Sequence, residues 1–274
     1  MRLRRFALLL TAGLFLVSTL GVATAQAAVP RLVPRLADPA ALHEANCTTA
    51  QLPAEAFPIG TGPCPGVRPG ALVSSDVATC TLGFMFSSGS TRYMSTAGHC
   101  ILDGGEQSWP SGTGPAAYDG AGNQIGRFVY GVLEDPKDFS LIELDPGVQA
   151  DAQMCHFGGP TGINASQTTA PVLLQHYGNG DVVSALTPAR SHLALGMPDA
   201  DQVYAYGAGI FGDSGSAVIS SDGGAVGILV TIGVHPGSNI LSSGTIGITR
   251  LAPQVARAES VLGISLSLVT ASLL

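Results

Sequence analysis

The sequence has few charged residues and few aromatic ones. Charged residues make up 11% of the 274 positions and aromatic residues 6%, with a single tryptophan. An ordinary soluble protein is about one quarter charged, so this composition excludes a coiled coil or a charged disordered protein. The 12 Lys and Arg residues are outnumbered by 19 Asp and Glu, which gives a formal charge of −7 and excludes a basic nucleic-acid binder.

Metal-binding patterns are absent as well. The sequence contains five cysteines but no C-x-x-C pair, and none of its six histidines lies in an H-E-x-x-H motif. These spacings are typical of structural zinc sites and of zinc proteases. We therefore expect no metal and no cofactor.

The N-terminus has the pattern of a secretory signal peptide. Its positive residues are Arg2, Arg4 and Arg5. An apolar segment, 6–22, follows, and two A-x-A cleavage patterns lie in 23–27. An uncleaved anchor helix is the alternative, but the segment is short for a membrane span and ends in small residues. We expect residues 1–27 to be removed, leaving a secreted protein without membrane contact and with its cysteines in an oxidising compartment.

The rest of the chain alternates between short apolar runs and turn residues. Segment 28–69 is rich in Pro and Ala and predicts an irregular lead-in or a short pro-segment, followed by one domain over 70–274. Strands are predicted at 77–87, 91–95, 123–133, 139–144, 171–177, 202–206, 216–220, 225–232 and 244–248. Thr249 is a candidate cap for a helix over 252–262, with Gly263 as its stop. Many short strands and one late helix indicate an all-β sandwich or barrel.

Three local patterns carry reactive side chains. They are T-A-G-H-C with His99, D-F-S-L-I-E-L with Asp138, and G-D-S-G with Ser214. A serine hydroxyl needs an adjacent base to act as a nucleophile, and imidazole can accept and return a proton near neutral pH. A carboxylate can fix the imidazole tautomer, with Asp135 and Asp145 as alternatives to Asp138. The small residues around Ser214 leave room for a substrate carbonyl, and the N–H groups of Gly212 and Ser214 are candidate oxyanion-hole donors.

With these motifs in this order behind a signal peptide, the sequence resembles the secreted chymotrypsin-like serine proteases of bacterial type. The resemblance covers about 70–263. It implies two perpendicular six-stranded antiparallel β-barrels, one over about 70–150 and one over about 151–250, with a C-terminal helix and tail at 250–274. It also implies that His99 is the general base, Asp138 its orienting partner and Ser214 the nucleophile.

The resemblance extends to cysteines and to a buried carboxylate. It implies a disulfide between Cys80 and Cys100, beside His99, and it offers Cys64 or Cys47 as a partner of Cys155. The sequence departs from the family pattern in having Ser216 where glycine is usual and no cysteine shortly before G-D-S-G. No I-V-G-G-type start supplies a new N-terminus for Asp213, which bacterial relatives pair with an internal arginine; Arg190 is the candidate.

The resemblance also suggests a specificity pocket. Its base would be Ala208 and its wall the segment around Thr231 and Gly233, which favours an apolar or small substrate side chain. The predicted function is a monomeric serine endopeptidase that acts on proteins or peptides. The rivals are a catalytically silent binding module on the same fold and an esterase with the same triad. An α/β-hydrolase is disfavoured, because Ser216 breaks the G-x-S-x-G elbow and the triad order differs.

Overall fold

A computed structural model describes residues 64, 66–166, 171–179, 188–196, 200–233 and 244–274. The predicted signal peptide and nearly all of the predicted lead-in lie outside these residues, as does Cys47. Within the described part of the chain, no helix is both long and apolar enough to cross a membrane.

The first sheet is built mainly from the N-terminal half of the chain. Its strands are β1 (Leu72–Ser74), β2 (Thr79–Thr81), β3 (Met85–Ser88), β4 (Thr91–Thr96), β5 (Gly105–Ser108), β6 (Ala116–Asp119), β7 (Gln124–Glu134), β8 (Lys137–Leu144) and the C-terminal β16 (Ser267–Leu268). They follow the order β16-β3-β4-β8-β7-β6-β1-β2, and β5 also pairs with β7. Phe84, Phe86, Phe128 and Phe139 are fully or almost fully buried in the core against this sheet.

The second sheet follows in the chain. Its strands are β9 (Gly162–Ile163), β10 (Leu173–Tyr177), β11 (Ala189–Gly196), β12 (Gln202–Tyr206), β13 (Ala217–Ser220), β14 (Gly224–Ile232) and β15 (Thr245–Arg250). The order β13-β10-β11-β12-β15-β14 closes on itself because β13 also pairs with β14. A smaller apolar core that includes Leu174, Val203 and Ile248 belongs to this ring.

The predicted all-β class, with two sheets and a C-terminal helix, is confirmed. The second sheet closes through six strands, as expected, with β9 added in parallel to β14. The first sheet has nine strands instead of six. Among the described residues no pairing joins its ends, so it is a curled half-barrel. The angle between the sheets stays a prediction.

One predicted strand is two strands in the structure. Segment 77–87 divides into β2 and β3, with a break around Gly83. A Cβ atom on Gly83 would lie 2.4 Å from Ser95 Oγ and 2.9 Å from the carbonyl oxygen of Gly215. The chain therefore leaves the regular strand where it passes close to the turn that carries Ser214.

The helix is α1 (Leu251–Leu262), and its predicted stop is correct. Gly263 has a φ of 66° and donates its N–H to the carbonyl of Glu259, a left-handed cap that favours glycine. The predicted cap, Thr249, is wrong, because β15 continues to Arg250 and Arg250 occupies the N-cap position without a side-chain hydrogen bond.

Two disulfides tie the chain together. Cys80 is bonded to Cys100, as the family resemblance implied. Cys155 is bonded to Cys64, which selects one of the two candidate partners. Residues after the helix add β16 to β3, and the final residues then pair with the segment between the two sheets through an isolated bridge of Leu273 with Gly158.

Candidate active site

His99 lies in a short 3-10 turn, Gly98–Cys100, that follows β4. A Cβ atom on Gly98 would lie 1.9 Å from the carbonyl oxygen of Val132, so only glycine lets this turn approach β7 so closely. The Cys80–Cys100 disulfide anchors the end of the turn to β2. The His99 side chain is 31% exposed, which leaves the ring open to solvent and to a substrate.

Asp138 is the second residue of β8 and is buried beside this turn. Its Oδ2 lies 2.7 Å from His99 Nδ1, and its Oδ1 accepts the backbone N–H of His99 at 3.0 Å. Two residues along the strand, the Ser140 hydroxyl donates to the carbonyl of Ala97 at 2.9 Å. The alternative carboxylate Asp145 lies elsewhere and accepts a hydrogen bond from Gln124. The carboxylate thus holds both the ring and the backbone of His99.

Ser214 completes the line of side chains. His99 Nε2 lies 2.7 Å from Ser214 Oγ, within hydrogen-bond distance. Ser214 belongs to the turn between β12 and β13 of the second sheet, whereas His99 and Asp138 belong to the first. The three residues predicted from the motifs are therefore together where the two sheets meet. This arrangement suits proton transfer from a serine to an imidazole whose other nitrogen is held by a carboxylate.

The turn before Ser214 has free N–H groups. Gly212 has a φ of 102°, a conformation that favours glycine. Within the described residues, the N–H groups of Gly212 and Ser214 donate to no protein acceptor, whereas that of Asp213 donates to the carbonyl of Ile210. Both predicted oxyanion-hole donors are thus without a protein acceptor among the described residues.

Asp213 is fully buried and forms an ion pair with Arg190. Both terminal guanidinium nitrogens donate to the carboxylate, with Arg190 Nη2 at 2.8 Å from Oδ1, and the N–H of Ile210 donates to Oδ2 at 2.8 Å. Burial alone would raise the pKa of Asp213, but the neighbouring His176 and Arg190 outweigh it and lower that pKa below its ordinary value. The candidate partner of Asp213 is the correct one.

Ser216 and Gly178 also lie against Asp213. The Ser216 hydroxyl and N–H both donate to the carbonyl of Asp213. The hydrogen bond from the Ser216 hydroxyl explains how a serine is accommodated at a position where the family pattern has glycine. A Cβ atom on Gly178 would lie 2.2 Å from Asp213 Oδ1 and 2.9 Å from Ser216 Oγ, so this position has no room for a side chain.

Similar proteins are known among solved structures. No family model matches the chain. Among solved structures it is similar to a glutamic acid-specific serine protease described as using a histidine triad in substrate binding (17% identity, 73% of this chain and 100% of that chain, TM-score 0.48). It is also similar to Thermobifida fusca protease A (14% identity, 74% and 99%, TM-score 0.48) and to an alpha-lytic protease homologue, N4 (19% identity, 72% and 97%, TM-score 0.47).

All three neighbours are named as proteases, at 14–19% sequence identity and TM-scores of 0.47–0.48.

A pair of buried histidines lies next to Asp213. His176 in β10 and His192 in β11 stack with ring centroids 4.6 Å apart, and His176 Nδ1 is hydrogen-bonded to His192 Nε2. His176 Nε2 lies 3.8 Å from Asp213 Oδ2. Burial lowers the pKa of both histidines. The sequence offered no signal for this pair, because neither histidine lies in a motif.

The predicted pocket residues lie around one glycine. A Cβ atom on Gly209, next to Ala208, would lie 2.7 Å from Ile232 Cγ2 and 2.9 Å from Ile246 Cγ2. Ile232 lies between the predicted wall residues Thr231 and Gly233 at the end of β14. The predicted base and wall are therefore adjacent. Ile246 was missed, because it is distant in sequence and reaches the wall only through the pairing of β14 with β15.

One cluster near the site contains potential metal ligands by residue type. Cys80, His99 and Cys100 place their ligand atoms within 4.8 Å of one another. The two sulfur atoms share a disulfide and so are not thiolates, the form that binds metals. The cluster does not fit a metal ion.

Proposed function

We propose that this chain is a secreted serine endopeptidase. The observation that carries the proposal is the continuous line from Asp138 Oδ2 through the His99 ring to Ser214 Oγ, with 2.7 Å at each junction. These are the distances that a nucleophile, its base and the orienting carboxylate require. The free N–H groups beside Ser214 supply the remaining part, a site for the negative charge of a tetrahedral intermediate.

The reaction proceeds through an acyl-enzyme. Ser214 Oγ attacks the carbonyl carbon of the scissile peptide bond while its proton passes to His99 Nε2. The carbonyl oxygen becomes an oxyanion that accepts the N–H groups of Gly212 and Ser214. The imidazolium, stabilised by Asp138, gives its proton to the leaving amine as the C–N bond breaks. Water then attacks the acyl-enzyme, with His99 as the base, and releases the acid product and Ser214.

The substrate preference is for an apolar or small side chain before the scissile bond. The side chains around Gly209 are Ile232 and Ile246, and the expected base is Ala208. None of these can pair with a lysine, an arginine or an acidic side chain. An apolar pocket gains binding free energy of about 25 cal/mol for each Å² of apolar area that the substrate buries.

Catalysis by this enzyme needs no new N-terminus. Asp213 already has Arg190 as an internal partner, so the nucleophile turn is held without proteolytic activation. Removal of residues 1–27 during export is the only processing step that the proposal requires, and N-terminal sequencing of the exported protein should begin at Ala28.

The proposal can be tested with a fluorophosphonate probe on the protein and its Ser214→Ala variant, exported with its own leader. Such probes label a serine only when base and oxyanion donors are assembled. Labelling of the parent alone, at Ser214, together with cleavage in an apolar peptide library, would support the endopeptidase. A folded parent that neither reacts nor is activated by limited proteolysis would favour the silent binding module instead. Labelling and ester turnover without peptide cleavage would favour the esterase.

A further inference from the structure

Thr81 joins the first sheet to the nucleophile turn. It is the last residue of β2 and is fully buried. Its N–H donates to the carbonyl of Ser214 at 2.8 Å, and its hydroxyl donates to the carbonyl of Gly212 at 2.7 Å. Its own carbonyl accepts the hydroxyl of Thr96 at 2.9 Å. Thr96 lies three residues before His99, so Thr81 contacts the segments that carry both the base and the nucleophile.

The direction of the Thr81 hydroxyl proton is fixed by its other neighbour. The backbone N–H of Asn179 donates to Thr81 Oγ1 at 3.0 Å. A threonine hydroxyl has one proton to give, and here the carbonyl of Gly212 receives it. The result is a buried chain from the N–H of Asn179 through the hydroxyl of Thr81 to Gly212, in which each hydrogen bond strengthens the next.

These bonds determine how three consecutive peptide groups are turned. A trans peptide is planar, with its C=O and N–H pointing in opposite directions. The peptide after Gly212 is held by Thr81 at its carbonyl and by Ile210 at its N–H. The peptide after Ser214 is held by Thr81 at its carbonyl and by Leu229 at its N–H. Thr81 therefore restrains two of the three.

The middle peptide is restrained by Ser216. Its carbonyl, that of Asp213, accepts both donors of Ser216, so its N–H, that of Ser214, points the other way. The N–H of Gly212 belongs to the preceding peptide, which joins the peptide held by Thr81 at the Gly212 Cα atom, so Thr81 restrains where that N–H lies. The positions of the two proposed oxyanion-hole donors thus depend on Thr81, which anchors the peptide after Gly212 and the peptide after Ser214 on either side of the one held by Ser216.

We propose that Thr81 is a positioning residue, whose hydroxyl holds the turn 212–214 in the conformation that presents these N–H groups to the oxyanion. The inference rests on the proposed function. Thr81 touches neither the triad side chains nor the proposed pocket in the described contacts, so it acts through the backbone of Gly212 and Ser214. Loss of its hydroxyl should affect the transition state more than substrate binding.

The test compares two substitutions, each of which removes one of the two groups that the Cβ atom of Thr81 carries, the hydroxyl or the methyl group. Thr81→Val keeps its shape and removes the hydroxyl, while Thr81→Ser keeps the hydroxyl and removes the methyl group. Thr249→Val is the matched control, since Thr249 is equally buried and its hydroxyl has no hydrogen-bond partner among the described residues. The fluorophosphonate labelling rate, peptide kcat and KM, and Tm are measured for each variant.

We expect Thr81→Val to lower the labelling rate and kcat by about tenfold to a hundredfold with little change in KM. Thr81→Ser should retain most of the activity even if its Tm falls, and Thr249→Val should match the parent. Equal rates for Thr81→Val and the parent would overturn the inference while leaving the proposed function intact, as would equal losses in both Thr81 variants. A folded parent that neither labels nor cleaves would instead end the proposed function, and the inference with it.

Discussion

At the residue scale, the strongest constraint on His99 comes from a single carboxylate. Asp138 accepts both the ring Nδ1–H and the backbone N–H of His99, so the ring and its turn are oriented together. An amide in the same place could present its NH2 group to the ring and favour the wrong tautomer, with the proton on Nε2. Catalysis would then lose its base although the fold is kept.

The Asp138→Asn variant tests this directly. We expect kcat to fall by roughly 10⁴-fold at neutral pH, with little change in Tm. Steady-state peptide hydrolysis gives the rate, and Asp145→Asn is the control, since that carboxylate bonds Gln124 away from the triad. Retention of more than a tenth of the parent kcat in Asp138→Asn would contradict the assigned role.

Arg190 has a different task, which is to neutralise a buried charge. Removing one partner of a buried ion pair leaves the other uncompensated, at a cost of about 3–5 kcal/mol. Arg190→Met should lower the free energy of unfolding by about that amount and also lower activity, because the turn 212–214 depends on Asp213. Urea unfolding is the measurement.

Arg257→Met is the matched control for this variant. Arg257 faces Glu106 at 4.0 Å with both side chains about one-third exposed, and an exposed pair of this kind contributes about 0–1 kcal/mol. Equal losses in the two variants would show that the Arg190 pair has no special importance.

At the scale of elements, β10 and β11 bring a pair of buried histidines next to Asp213. The pKa of His176 and His192 in the folded protein lies below the ordinary value of 6.5, mainly through burial. As the pH falls, the unfolded chain binds protons first, so these groups contribute stability above about pH 6.5 that is lost at lower pH. Asp213, whose pKa is also lowered, adds a loss in the same direction at more acidic pH.

The His192→Gln variant removes one of these titrations and keeps a polar group near His176. We expect its Tm to fall less steeply than that of the parent between about pH 7 and about pH 5, even if its Tm at neutral pH is lower. Differential scanning calorimetry over that range supplies both slopes. Identical slopes would mean that the pair does not control acid sensitivity.

The same strands show where sequence reasoning reaches its limit. Regular apolar segments such as 139–144 and 202–206 predict β8 and β12, because alternation or a long buried run leaves a clear signal. Strand β11 was not predicted, since its Arg190 and His192 are polar residues that are buried against partners in the nucleophile turn and in β10. The prediction of Thr249 as the helix cap was wrong for a similar reason, because contacts with residues distant in sequence leave no local pattern. Its neighbour Arg250 bonds the carbonyls of Ala200 and Ala165, contacts that no local pattern indicates.

The candidate site follows the same division. The triad residues lie in recognisable motifs and were predicted, whereas Thr81, His176 and Ile246 act through pairing across the fold and were not. Arg190 was proposed as the partner of Asp213 because a buried carboxylate requires a cation and the family resemblance implies an internal arginine there.

At the scale of the whole molecule, the Cys64–Cys155 disulfide ties the start of the described chain to the segment between the two sheets. Its two cysteines are separated by 91 positions in the sequence, whereas Cys80 and Cys100 are separated by 20. Cross-linking a longer loop removes more entropy from the unfolded chain, about 4.6 kcal/mol against about 3.3 kcal/mol at these lengths.

The double variant Cys64→Ser/Cys155→Ser should therefore lose more stability than Cys80→Ser/Cys100→Ser. Activity should show the opposite order, because Cys100 adjoins His99 and Cys64–Cys155 touches no triad residue. Denaturant unfolding and peptide hydrolysis on the same preparations provide the comparison. A larger loss of stability from the Cys80–Cys100 pair would contradict the expected ranking.

Gly178 gives this architecture a consequence for mutational tolerance. Because its Cα lies against the Asp213 carboxylate, even alanine there would displace the group that holds the nucleophile turn. A saturation scan scored by proteolysis should therefore show a sharp intolerance at a loop glycine 36 positions before Ser214, with no reactive group of its own. Substitutions should therefore be tolerated over much of the protein surface but not at Gly178, although this residue takes no part in the reaction.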